Sequence, residues 1–320
     1  MKTVNSLLKQ SYKNIQINIL DNASTDRTVE IIRSIADNRI KIFKRKKNTG
    51  AEENFNKCIN VASGKYTAIF HADDIYEQTI VEEQVKFLEA NSFVGAVFTG
   101  AHLIDSEGKK IGKLQIPKDI AKHGYVINFF DLFKLILKIS NFIICPSGMV
   151  RTNIYKFEVK KWRFNLFKTS SDLDVWLRIS KKHALGFLDK PLINYRISNQ
   201  QGSELNRSNI EKADFFLVTE FYMSSLSKKE QLQKGDILNH EVLLLRDNLS
   251  RSVNLICLNQ VEASRKIIFF IITRKWFQLM LNSWKGFFLV LFNLILICTI
   301  LMRLFVILKY EAQMAKRFFN

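Results

Sequence analysis

Over its first 110 residues the chain alternates strand-like with helical periodicity, and this alternation constrains the fold more than any other feature. Ile15-Gln16-Ile17-Asn18-Ile19-Leu20 alternates apolar and polar residues, the pattern of a half-buried strand. Residues 25–36 set Val29, Ile31, Ile32 and Ile35 on a helical face, with Ser24 or Thr25 as its cap. Strand patterns recur at 40–43, 66–70 and 95–99, and helical ones at 51–62 and 80–90. Residues 5–12 read as the end of a preceding helix. Such an order predicts an α/β fold with a mixed, mostly parallel sheet. Further on, Pro146-Ser147-Gly148 marks a turn, residues 175–179 look helical and residues 191–197 form a last strand.

In sheets of this kind ligands collect at the carboxyl ends of the strands. Asp21 follows the first strand, and His71-Ala72-Asp73-Asp74 follows the third. Two readings stand side by side at these acids: turn and cap residues, or ligand-binding carboxylates.

Composition narrows the partners. Lys+Arg number 48 against 30 Asp+Glu, a formal charge of +18, which suits an anionic membrane surface or a nucleic acid. The chain carries no helix-turn-helix, zinc or RNA-stacking motif, so no nucleic-acid partner is expected. Cys58, Cys145, Cys257 and Cys298 form no framework, which predicts a reduced, cytosolic compartment.

The C-terminal segment differs in kind. Residues 287–308 include only Asn293, Thr299 and Arg303 as polar residues, and 22 residues at ~1.5 Å each reach ~33 Å, enough to cross a bilayer. Residues 261–320 hold nine Lys/Arg and two Glu. Basic flanks around apolar helices predict membrane contact, lying in the plane rather than spanning, with a buried helical pair as the alternative. The predicted division is 1–204, then a helical extension 205–282, then an apolar membrane-associating helix and basic tail 283–320.

A series of motifs adds a resemblance. Ser6 to Tyr12, Ile19-Leu20-Asp21-Asn22-Ala23-Ser24-Thr25-Asp26, Asn48-Thr49-Gly50, Asn54, Ala62-Ser63-Gly64-Lys65-Tyr66 and Ala72-Asp73-Asp74 follow the order and spacing of family 2 glycosyltransferases. The likeness runs from about residue 5 to about residue 204. It implies the GT-A nucleotide-sugar-binding fold and an inverting, metal-dependent, hexosyltransferase-type enzyme. The donor would be a nucleotide-sugar and the acceptor a saccharide or lipid-linked sugar. Cell-surface polysaccharide synthesis at the cytoplasmic face of the cell membrane would be the setting.

The resemblance also implies roles. Asp73 and Asp74 would hold Mg2+ or Mn2+ against the donor diphosphate, Asp73 also serving the nucleotide. Asp21 would contact the nucleobase or ribose. Lys46, Asn48 and Gly50 lie in a loop that passes close to the nucleotide, where Asn48 and Gly50 have a purely conformational alternative. Asp172, in Ser171-Asp172-Leu173-Asp174-Val175-Trp176-Leu177-Arg178, would be the catalytic base. Asp174 would pair with Arg178 or cap the helix, and Trp176 would be core. Ser147 and Gly148 would line the acceptor pocket. Arg196, in Tyr195-Arg196, would meet the diphosphate or make a structural ion pair. His71, Ser171 and Ser198 depart from the family pattern, which has an acid, an acid and a His there. A strand that relatives carry ahead of Ser6 to Tyr12, central to the sheet, does not precede them here. A catalytically inactive truncated remnant or membrane-tethered binding module is therefore the second reading. A metal-dependent phosphoryl transferase is a third, weakened by the lack of a P-loop.

Overall fold

Helices and strands alternate through residue 104 much as the periodicity predicts. The computed structural model describes residues 1–197, 210–226, 232–270 and 275–301. Its elements begin with α1 (Lys2–Leu8), β1 (Ile17–Asp21), α2 (Thr28–Arg33), β2 (Ile40–Lys44), α3 (Gly50–Val61), β3 (Tyr66–Ala68) and β4 (Ile75–Tyr76). Next come α4 (Ile80–Ala90), β5 (Val94–Ile104), β6 (Lys110–Leu114), α5 (Lys118–Ala121), β7 (Val126–Ile127) and α6 (Phe129–Ile139). A 3₁₀ turn at Cys145–Ser147 leads to β8 (Met149–Arg151), a π-helical segment at Ile154–Val159, α7 (Ser171–Ser180) and β9 (Ala184–Arg196). The remaining helices are α8 (Asp214–Ser224), α9 (Lys234–Cys257), α10 (Val261–Phe270), α11 (Lys275–Asn282) and α12 (Trp284–Leu301).

The chain divides into two units, Met1–Leu132 with Phe142–Ser198, and Phe133–Asn141 with Asn199–Asn320. In the first unit β1 and β2 form a parallel pair, and a seven-stranded sheet runs β3-β8-β5-β9-β4, with β6 on β5 and β7 on β9. The fold is thus mixed α/β. The longest ladder, β5–β9, is parallel, as is β1–β2, and five shorter pairings are antiparallel. The antiparallel pairings follow from the connections after β5. A tight turn joins β5 to β6, its amides at Glu107, Gly108 and Lys109 donating to Asp105 Oδ1, so the chain returns antiparallel without a crossover helix. Among the described residues β1 and β3 each pair along one edge only.

α4 falls on its predicted bounds, and its face Ile80, Val81, Gln84 and Leu88 is buried. α2 is shorter than predicted, because the Thr28 N–H donates to Asp26 Oδ1 and sets a later start. β9 is longer than predicted: Pro191 lies at a register shift opposite Gly100, where a proline interrupts the ladder without ending the strand. Around Phe98 the core stacks Trp176 at 4.8 Å and Phe187 at 5.6 Å between ring centroids, so Trp176 is core.

In the second unit α9 buries Val242, Leu245, Leu249, Val253 and Ile256, spaced three or four apart on one helical face. α12 buries Gly286, Val290, Asn293, Ile297 and Ile300 on one face. On the other it exposes Trp284, Phe288, Leu291 and Ile295. By length and composition alone α12 is long and apolar enough to cross a membrane. The Ser198 position and the tail beyond 301 lie outside the described residues.

Candidate active site

The loop after β3 is built to hold one acid inside the protein. Asp74 is fully buried. Its Oδ1 accepts the Arg196 backbone N–H at 2.8 Å, while its Oδ2 is buried with no hydrogen-bond partner. Burial raises the Asp74 carboxyl to about 7, with the charge of Asp73 adding to it and the Arg196 amide opposing it. The loop is clamped from two sides. Thr3 Oγ1 lies 2.6 and 2.7 Å from the carbonyl oxygens of Ala72 and Asp74. The Arg196 guanidinium donates to the carbonyls of Asp73, Asp105 and Ser106 at 2.9, 2.5 and 2.9 Å. Arg196 therefore fastens two loops through their backbones.

His71 sits beside these acids. Ligand atoms of His71, Asp73 and Asp74 all lie within 4.8 Å of one another. The His71 backbone N–H donates to Tyr76 Oη at 2.7 Å, and the edge of Phe55 meets the imidazole at 5.8 Å between centroids. Burial lowers the imidazole below its ordinary pKa, against a smaller raising effect of Asp73. An imidazole nitrogen, one exposed carboxylate and one buried carboxylate with an orphan oxygen fit a divalent cation.

Cys145 connects this loop to α7. Its Sγ is 4.0 Å from His71 Nε2. Burial pushes the thiol well above its ordinary pKa, and the charges of Asp172 and then Asp74 push it further. Both carboxylates are therefore near enough to act on the Cys145 thiol through their charge, although the residues are 98 apart in sequence. Asp172 stands in the first turn of α7, half-buried, its Oδ1 accepting the Leu173 N–H at 2.7 Å. Asp174 is fully buried and engaged by Arg163 and by Arg178, whose Nε donates at 3.1 Å. It is an ion-pair residue, which leaves Asp172 as the acid of this turn nearest the loop.

The β1 side is tied in through α3. Asp21 ends β1, is buried, and accepts the Ser24 N–H at 3.2 Å. Beside it Asn22 Nδ2 donates to Asn48 Oδ1 at 2.8 Å and to the Gly50 carbonyl at 3.2 Å, and the Gly50 N–H donates to Asn48 Oδ1 at 2.9 Å. Gly50 has φ +82°, a conformation that favours glycine, and it opens α3. Asn48 and Gly50 accordingly shape the loop between β2 and α3, which Asn22 ties to the end of β1 beside Asp21. The same helix carries Phe55 to His71, and Asn56 Oδ1 accepts the Trp162 N–H at 2.8 Å.

Ser147 and Gly148 are buried. Ser147 is fully buried, its Oγ donating to the Ile144 carbonyl at 2.7 Å and accepting the Thr99 N–H at 3.2 Å. Its carbonyl accepts Gln84 Nε2 at 2.6 Å. A Cβ on Gly148 would stand 2.8 Å from the Phe98 ring. Both residues hold the turn that presents Cys145, and their polar groups bond inside the core. Sequence reasoning missed Phe55, Cys145 and Thr3. Only the apolar position of Phe55 on the α3 pattern was a signal, and it reads equally well as core.

Known proteins resemble this chain in sequence and in fold. The sequence pattern described as Glycosyl transferase family 2 matches residues 1–157. An uncharacterized glycosyltransferase of Methanocaldococcus jannaschii is 31% identical over 203 residues, 62% of this chain and 66% of the relative, so the chain spans just under two thirds of that relative's length. WfaP of Escherichia coli, a UDP-Glc:alpha-D-GlcNAc-diphosphoundecaprenol beta-1,3-glucosyltransferase, is 41% identical over 87 residues, 27% of this chain and 35% of that protein. Among solved structures, the mannosyltransferase PcManGT from Pyrobaculum calidifontis, in complex with GDP-Man and Mn2+, has a TM-score of 0.53 at 14% identity, covering 84% of this chain and 70% of that one. The last likeness is one of fold.

Proposed function

We propose that this chain, which belongs to glycosyl transferase family 2, moves a sugar from a nucleotide-sugar donor to a hydroxyl of a saccharide or lipid-linked acceptor, inverting the anomeric carbon. The observation that carries this reading is the cluster of His71, Asp73 and Asp74 ligand atoms within 4.8 Å of one another, with Asp74 Oδ2 buried and unpartnered and with Cys145, which feels the charges of Asp172 and Asp74, in contact with His71. Asp172 takes the proton from the acceptor hydroxyl as its oxygen attacks the anomeric carbon and the bond to the diphosphate breaks. Asp73, Asp74 and His71 are the residues that would hold a divalent cation, which when bound neutralises charge growing on the diphosphate. Asp21 accepts a hydrogen bond from the ribose or base, and Asn48 and Gly50 set the loop beside it. Arg196 keeps the Asp73-Asp74 loop in place and, although distant in sequence, stands close enough in space to add its charge to the phosphate side.

A lipid-linked acceptor is supported by the name of the E. coli relative and by the exposed apolar face of α12. That face, with the basic residues of the C-terminal region, suits a peripheral position on the cytoplasmic face of the membrane, in polysaccharide assembly. The test is Asp172→Asn, assayed against UDP- and GDP-sugars. Transfer falls by about 10²–10⁴-fold, the range for a lost general base, while donor affinity stays unchanged. Equal turnover in the variant removes Asp172 from the role. Absence of transfer by the native chain with every donor favours the non-catalytic binding module.

A further inference from the structure

We infer that His71 is a nitrogen ligand at the cation site of the Asp73-Asp74 loop and that it turns the preference of this site from Mg2+ toward Co2+ and Zn2+. The inference deepens the reading above, but it concerns binding and stands or falls without turnover. Three donor atoms within 4.8 Å of one another lie close to the span one ion requires, since ligands at ~2.1 Å from an octahedral ion are at most ~4.2 Å apart. Independently, Asp74 Oδ2 is buried without a partner, and a buried orphan oxygen of this kind calls for a positive group. The imidazole is held for the task. Its backbone N–H is fixed on Tyr76, the Phe55 edge packs on the ring, and Nε2 makes only a 4.0 Å contact to the Cys145 sulfur.

Chemistry supplies the preference. An all-oxygen set of carboxylates, diphosphate and water suits Mg2+, whereas imidazole suits the later transition ions, whose affinity for nitrogen donors rises along the divalent series. A carboxylate at this position would carry one more negative charge and restore the oxygen set.

The experiment uses the full chain and the metal ions alone, without donor or acceptor. Equilibrium dialysis against Mg2+, Mn2+, Co2+ and Zn2+ is combined with pulsed electron paramagnetic resonance of the Mn2+-loaded protein. Co2+ is expected to bind at least about tenfold more tightly than Mg2+. The Mn2+ spectrum is expected to show hyperfine coupling to a directly bound nitrogen. His71→Gln loses the coupling, and His71→Asp loses it while regaining Mg2+ affinity; Cys145→Ser keeps it. Circular dichroism monitors folding of each variant, and the native spectrum decides the point if a variant fails to fold. Absence of nitrogen coupling in the native protein, equal Mg2+ and Co2+ affinity, or a Co2+ preference unchanged in His71→Asp overturns the inference. A chain that binds Co2+ through His71 yet transfers no sugar defeats the proposed function and leaves this inference intact.

Discussion

The two units of the chain differ in the charge they bury: among the described residues the buried carboxylates all lie in the first. The first places Asp21, Asp74, Ser147 and Asp174 out of water and surrounds them with named donors, leaving Asp74 Oδ2 as an exception. The second builds its core from aliphatic side chains of α9 and α12, and it shows apolar surface outward, with Trp284 79% and Phe288 59% exposed. A buried carboxylate is expensive unless it is paired, so a concentration of them marks where the fold serves chemistry. An exposed apolar stripe is expensive in water, so its presence marks where the fold meets something apolar. Net charge and hydropathy averaged over the whole chain hide this division.

The largest effect that probes it is at Asp174. Removing the carboxylate by Asp174→Ala leaves Arg163 and Arg178, both mostly buried, without their acid. The expected loss is about 3–5 kcal/mol of stability, read by chemical denaturation. A loss below about 1 kcal/mol would mean that polar burial in the first unit is not what holds α7, and the contrast between the units would fail.

Asp74→Asn is expected to act the other way. Its folded pKa, about 7, lies above the ordinary carboxylate value, so the folded state keeps a proton that the unfolded state releases. Stability is therefore fully present below about pH 4 and declines as the pH climbs toward about 7. In chelator, Asp74→Asn should stabilise the protein at pH 8 by at most about 4 kcal/mol and change little at pH 4. A pH-independent difference would show that Asp74 is not held as an ionisable strain in the site.

The smallest effect sharpens the other half of the comparison. Phe288→Glu places a charge on the outward face of α12, and sedimentation with anionic vesicles should fall by an amount equivalent to about 1.5–3 kcal/mol of lost apolar burial. Activity on a water-soluble acceptor should be unchanged. Undiminished vesicle binding would remove this face as the contact.

Local pattern was a good guide to elements that bury one face. α3, α4, β1 and β2 lie within a residue or two of their predicted bounds, because apolar spacing and nearby Gly or polar residues define them without help from the rest of the chain. Pattern failed at β9, where Pro191 reads as a strand start, and neighbouring β5 decides that the ladder continues through it. The short antiparallel pairings were not legible for a similar reason: a helix between strands is visible locally, and the direction of a returning strand is not. At the site, the acids of the Asp73-Asp74 loop and Asp172 were visible as residues, but the work of Ser147 and Gly148 inside the core was not.

By itself the sequence determined the α/β alternation, the acids at strand ends, the family resemblance and the apolar C-terminal helix, since each is written in residues a few positions apart. Only the tertiary structure decided that His71 and Cys145 meet, that Asp74 is buried with one oxygen unpaired and Asp174 is tied by two arginines, and which face of α12 looks outward. Those outcomes depend on burial and on contacts between segments up to about a hundred residues apart, and neither quantity exists until the chain has packed.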